Sequence, residues 1–328
     1  MQQQTDDSSS GEKLKQSLSP AKDRKPNLPC SLLAAAGITG NPSSLPSVSR
    51  WTRASLVTSY AVLVTVELLV ANGILVESVA IHDQSLSTPL TPRRGVILIW
   101  AVILVLQGFA VVDQALPSGY GDSWRSHVVQ TIAIPWQIGW LSEAVCQAVL
   151  GRPWAVRVWI ALASLLVAAA AFGSAMLELY GLRRKYALGP PSLQLYCMYL
   201  ASTAINTAWV SFRAADGVLV ASKALGASAA TVEGLSVCLI TAASAVAVWV
   251  VSKKKSTSYG LTVIWILVAV YSNQKRAMTG AICLLLMLIV GLATILSVVR
   301  KRQAPPDRDA RLGPRDTSPL GKPGMEQC

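Results

Sequence analysis

The sequence predicts an all-α fold, a polytopic membrane helix bundle of about eight transmembrane helices. Three observations carry this. Of the 328 residues, 52% are hydrophobic and only 14% are charged, where a soluble protein carries about a quarter charged residues. The apolar residues come in blocks, and several blocks reach the roughly 20 residues needed to cross a hydrocarbon core about 30 Å thick. The formal net charge of +12 sits largely in the tails and between the blocks, as in KLKQ, SKKKS and VVRKRQ. Basic residues at cytoplasmic helix ends account for that pattern. Nucleic-acid binding is not expected, because no recognition motif accompanies the charge.

Taken in order, residues 1–54 read as a disordered polar tail, rich in Ser, Gln, Lys and Pro and without the apolar core of a secretory signal. Spans are predicted at 55–79, 95–116, 128–150, 155–180 and 191–212. The stretch 213–230, RAADGVLVASKALGASAA, is mixed and reads as an interfacial segment or a helix extension. Three further spans follow at 231–252, 258–273 and 277–299, the middle one short for a full crossing. Residues 300–328 read as a second disordered, basic tail. An even number of spans puts both tails on one face. Twelve Lys and Arg flank the spans on that face, Lys253, Lys254 and Lys255 among them, against eight on the other, including Arg93 and Arg94. The tails are therefore expected in the cytoplasm.

Three spans present polar or aromatic stripes. In TIAIPWQIGWLSEAVCQ, Trp136, Trp140, Glu143 and Gln147 recur at spacings that share one helical face. Pro135 removes a backbone donor beside them. A carboxylate within a span should face the bundle interior or a wet cavity. In the fifth span Tyr199, Ser202, Asn206 and Trp209 share a face, and Asn206 has donors and an acceptor to satisfy. Trp100, Gln107 and Gln114 form a stripe in the second. Faces of indoles and amides with few charges suit a flat, amphipathic organic ligand. The competing reading is polar glue between helices. The acids Glu67 and Glu143 lie on different spans, and nothing in the sequence pairs them.

Enzyme signatures are missing: HExxH, GxSxG, Walker and GxGxxG patterns do not occur. Six cysteines without a CxxC, and two histidines, make neither a zinc pattern nor a disulfide framework. A non-enzymatic protein without cofactor or metal is expected.

The segment TPRRGVILIWAVILVLQG resembles the loop-to-helix junction of the TspO/peripheral-type benzodiazepine receptor group of tryptophan-rich sensory proteins. Thr91, Pro92 and Trp100 keep that group's spacing. LYCMYLASTAINT is similar to its last core helix, with Asn206 as the asparagine. YGLTVIWILVAVYSNQ resembles a motif of longer members, and Asn72 matches an asparagine near the end of helix one. The resemblance spans roughly residues 55–299. It implies a TspO-like five-helix core at 55–212, three added helices at 213–299, and a pocket capped before Trp100. It also implies binding of a tetrapyrrole- or sterol-like molecule for sensing or transport. Arg94, Gly95 and Ile97 stand where the group has glycine, tryptophan and phenylalanine, so the aromatic lid is replaced by guanidinium groups that suit carboxylates.

The residues expected at the pocket are Trp100, Gln107, Trp136, Trp140, Glu143 and Asn206, with Arg93 and Arg94 at its mouth. Expected partners are membrane lipid and the hydrophobic ligand, with a homodimer left open. The alternative is a proton-coupled secondary transporter using Glu67 or Glu143.

Overall fold

A computed structural model describes residues 48–72, 74, 88–90, 97–115, 123–150, 156–185, 191–273 and 277–303. Among these the regular structure is all helical: α1 is Arg50–Ala71, α2 Ile97–Ala115, α3 Ser123–Leu150 and α4 Arg157–Lys185. The fifth helix, α5, opens as Leu193–Leu195, widens into a π segment at Tyr196–Ala201 and continues as Ser202–Ala224. After it come α6 (Ala229–Lys254, ending in its own π turn), α7 (Thr257–Asn273) and α8 (Ala277–Gln303). This is the expected polytopic bundle.

Helix ends follow local chemistry more than hydropathy. α1 starts five residues before its apolar block because Ser49 caps it, accepting from the Thr52 amide at 3.0 Å. It stops at Ala71, short of the predicted 79. Asn72 closes it, with backbone N–H bonded to Leu68 O and side-chain Nδ2 donating to the same carbonyl at 2.7 Å. The mixed stretch after 212 is helix as far as Ala224 and continues α5 directly, as the extension reading has it. α6 ends on Lys255 at φ 58°, a left-handed cap in a non-glycine residue. Beside it Tyr180 of α4 donates to the Ser256 hydroxyl at 2.7 Å, which ties this turn to the core.

Five helices are long and apolar enough to cross a membrane: α1, α2, α4, α6 and α8. Their outer faces carry exposed hydrophobics, as Leu284, Leu288, Leu292 and Ile295 do on α8. At 17 residues and about 1.5 Å each, α7 is roughly 25 Å long. α3 and α5 are long but fall outside that set: α5 lies inside the bundle, and α3 keeps Ile134, Ile138, Leu141 and Val145 exposed on its outer face. α3 packs on α1 and α4, and α5 packs on α2, α4, α6 and α7. A helix surrounded by protein need not be apolar all round, so its polar residues collect where other helices can meet them.

Two glycines set close approaches. A Cβ at Gly139 of α3 would lie 2.4 Å from the Phe172 ring of α4, and one at Gly260 of α7 would lie 2.5 Å from Thr294 Oγ1 of α8. Small residues at such crossings let helices pack where lipid supplies no hydrophobic drive.

Candidate functional site

The stripes of α2, α3 and α5 converge. Trp136, Trp140 and Glu143 sit on the inner face of α3 and are buried. Trp140 Nε1 donates to Gln107 Oε1 of α2 at 2.9 Å, inside a fully buried contact. Trp136 stacks on Tyr199 of α5 with ring centroids 6.1 Å apart and planes at 25°. Trp136 also meets Trp140 edge-on at 5.1 Å. Tyr60 of α1 closes the group, its ring 5.2 Å from Trp140 and its hydroxyl donating to the Leu104 carbonyl of α2. Four helices thus grip two indoles in the favoured edge and offset geometries. α3 runs helical through Pro135.

One turn further along α3 the character changes from aromatic to ionic. Glu143 is 1% exposed and Asn206 is fully buried. Arg213, Glu67 and Asn206 are the polar groups that act on Glu143. Arg213 also acts on Glu67, which faces Gln147, and on Asp216. The sequence left Glu67 and Glu143 on separate helices; the fold brings α1 and α3 together so that both carboxyl groups feel the charge of Arg213, whose guanidinium itself contacts Cys146 Sγ at 4.0 Å. Neither oxygen of Glu143 and neither amide atom of Asn206 makes a hydrogen bond of ordinary geometry, and the same holds for Trp136 Nε1 and Gln107 Nε2. Each such buried atom costs about 1–3 kcal/mol, and no bulk water reaches hydrocarbon depth to offset it.

Trp100 is half-buried and packs against the core. Arg93 and Arg94, expected at the mouth, lie outside the described residues, as does the whole segment 91–96. Asn72 is exposed at the end of α1, away from the cluster.

The sequence missed two features. The first is Arg213. Ending the fifth span at 212 made it a surface charge, whereas α5 continues for three more turns and carries it inward of the helix end. An arginine in the middle of an uninterrupted helical pattern was the available signal. The second is a polar knot at the opposite end of the bundle. Arg125 Nη2 of α3 pairs with Asp113 Oδ1 of α2 at 3.1 Å. Tyr199 donates to Asp113 Oδ2 at 2.9 Å. These residues line a cleft with Ser192, Gln194 and Met198. Arg125 reads in sequence as a flanking charge, and only the π segment of α5 brings Tyr199 to it.

No curated protein and no solved structure matches the chain. The model of one family, described as TSPO-like protein, matches residues 51–299. That stretch runs from α1 into α8 and contains every described residue of the cluster. The match covers well over half of the 328 residues. With its long apolar helices, this integral, multi-pass membrane protein belongs to the TSPO-like protein family.

Proposed function

We propose that this is a non-enzymatic binder of a hydrophobic or amphipathic small molecule, tetrapyrrole- or sterol-like, held among α1, α2, α3 and α5. The observation that carries the reading is the set of buried polar atoms on Gln107, Trp136, Glu143 and Asn206 that lack a hydrogen bond of ordinary geometry, beside stacked aromatic rings. Aromatic faces bind a flat hydrocarbon body, and a few convergent polar atoms orient it. Family membership supports small-molecule binding in general; the ligand class and the sensing or transport role are part of the proposal. Both tails are placed in the cytoplasm on the count of flanking basic residues.

The test is titration of the purified protein with a porphyrin and with a sterol, followed by tryptophan quenching. Saturable quenching that weakens in Trp136→Phe and Trp140→Phe is expected. Quenching that never saturates, or that is unchanged in both variants, overturns the reading.

A second reading gains from one observation: Glu67 and Glu143 lie near enough to act on each other electrostatically, and Arg213 acts on both. Ionisable groups that interact inside a membrane bundle suit proton-coupled solute movement. Uptake into proteoliposomes driven by a pH gradient, abolished in Glu143→Gln, favours this reading over simple binding.

A further inference from the structure

The three helices beyond the first five do more than add mass to the bundle. α5, α6 and α7 enclose a crevice of ≈ 280 Å³, just under the roughly 300–1,000 Å³ usual for small-molecule sites. It shares no lining residue with the Trp136–Glu143 cluster. Its walls are Ala208, Phe212 and Ala215 of α5, Ala243 of α6, and Val263 and Ile266 of α7 among others. Ala242 and Val246, on its rim, are exposed on the outer face of α6. The crevice therefore opens toward lipid and narrows toward protein.

Three hydroxyls interrupt the apolar lining, those of Ser211, Ser244 and Tyr259, and of these Ser244 Oγ is the one both buried and without a partner. Ser244 of α6 is 2% exposed, lines the crevice, and its Oγ has no hydrogen-bond partner. Several helical Ser and Thr donate back to a carbonyl one turn earlier, as Ser59 does to Ser55, Thr131 to His127 and Thr294 to Val290. Ser244 makes no such bond. A hydroxyl held off its own backbone and sealed in an apolar crevice lacks the partner that its burial calls for. No charged residue lines the crevice, so a carboxylate or phosphate would enter without a counter-charge, which is costly.

The geometry points to a second binding site, between α5, α6 and α7, for a membrane lipid with a hydrocarbon body and a single hydroxyl. The body packs on the alanine and valine walls, and the hydroxyl exchanges a hydrogen bond with Ser244. The site is independent of the proposed ligand site in the first five helices, and each stands if the other fails.

The probe is a diazirine-bearing analogue of 1-hexadecanol, photolysed with the purified full-length protein in nanodiscs, with modified peptides mapped by mass spectrometry. Label is expected on peptides spanning 208–215, 239–246 and 259–267. Unlabelled 1-hexadecanol should compete roughly five- to tenfold better than hexadecane, the worth of one hydrogen bond in a dry site. Palmitic acid should compete no better than hexadecane. Ser244→Ala should bring the alcohol down to the level of the hydrocarbon, and Ala243→Leu should remove the label by filling the crevice. Melting curves and porphyrin quenching of the same preparations report whether both variants stay folded. Label spread evenly over the lipid face of α8, palmitate competing as well as the alcohol, or competition unchanged in Ser244→Ala, each overturns the proposal.

Discussion

Gly139 sits on α3 between the two tryptophans of the cluster, and α4 lies directly against it. A Cβ built there meets three atoms of the Phe172 ring at 2.4, 2.5 and 2.9 Å. Ordinary contact begins near 3.4 Å, so Gly139→Ala requires about 1 Å of movement between α3 and α4 or a forced rotation of the ring. Phe172 is fully buried, which leaves little room to turn. Overpacking of this kind costs about 1–3 kcal/mol. At roughly 2–4 °C per kcal/mol for a chain of 150–250 residues, the melting midpoint should fall by several degrees. Gly181 of α4 is the control, because nothing lies within 4 Å of a Cβ placed there. Gly181→Ala should hold or slightly raise the midpoint, since alanine is favoured over glycine in a helix by about 1 kcal/mol. Intrinsic tryptophan fluorescence during heating reads both, and Trp136 and Trp140 report directly on the disturbed region. A Gly139→Ala protein that melts with or above the wild type refutes the close α3–α4 contact.

Four further outcomes are expected. Gln107→Leu leaves the Trp140 indole N–H buried without its acceptor, and Trp140→Phe leaves the amide without its donor; each should cost about 1–3 kcal/mol. The double variant should cost clearly less than the sum, which a denaturation cycle measures. Glu143→Gln keeps the side chain's shape and removes an ionisable group from a fully buried position, so its melting point should stay level or rise. Arg213→Ala removes the cation whose charge acts on Glu67, Glu143 and Asp216 and should lower the melting point by a few degrees. Tyr199→Phe should loosen the Asp113–Arg125 knot and raise amide hydrogen exchange at the C-terminal end of α2 without altering the centre of α3.

Much of the bundle could be read from residue order because lipid imposes a simple rule: a long apolar block becomes a helix. The inward stripe of α3 was equally legible, since Trp136, Trp140 and Glu143 recur with helical period and lipid cannot hold a carboxylate. What escaped was set by contacts between distant segments. Hydropathy extended α1 to 79, whereas Ser49 and Asn72 fix its ends through local hydrogen bonds. Hydropathy also ended α5 at 212, where the inserted arginine looked like a surface charge, and so hid the cation that links the two glutamates. The cleft at Ser244 had no sequence signal at all, because a serine among alanines on α6 looks like ordinary helix packing until its partners are known.

The π segment at Tyr196–Ala201 has a consequence for how this helix can change. A π turn holds one residue more than the α-helix around it requires, so α5 contains a place where a residue can be gained or lost without breaking the rod. Removing Met198 would let the segment close into regular α-helix and leave the turns on either side in their present register. The same deletion in the regular helix between Asn206 and Arg213 would instead swing one of them by about 100° relative to the other. A one-residue change in α5 is thus absorbed at Tyr196–Ala201, with the Asp113–Arg125 end and the Asn206–Arg213 end both keeping their aim.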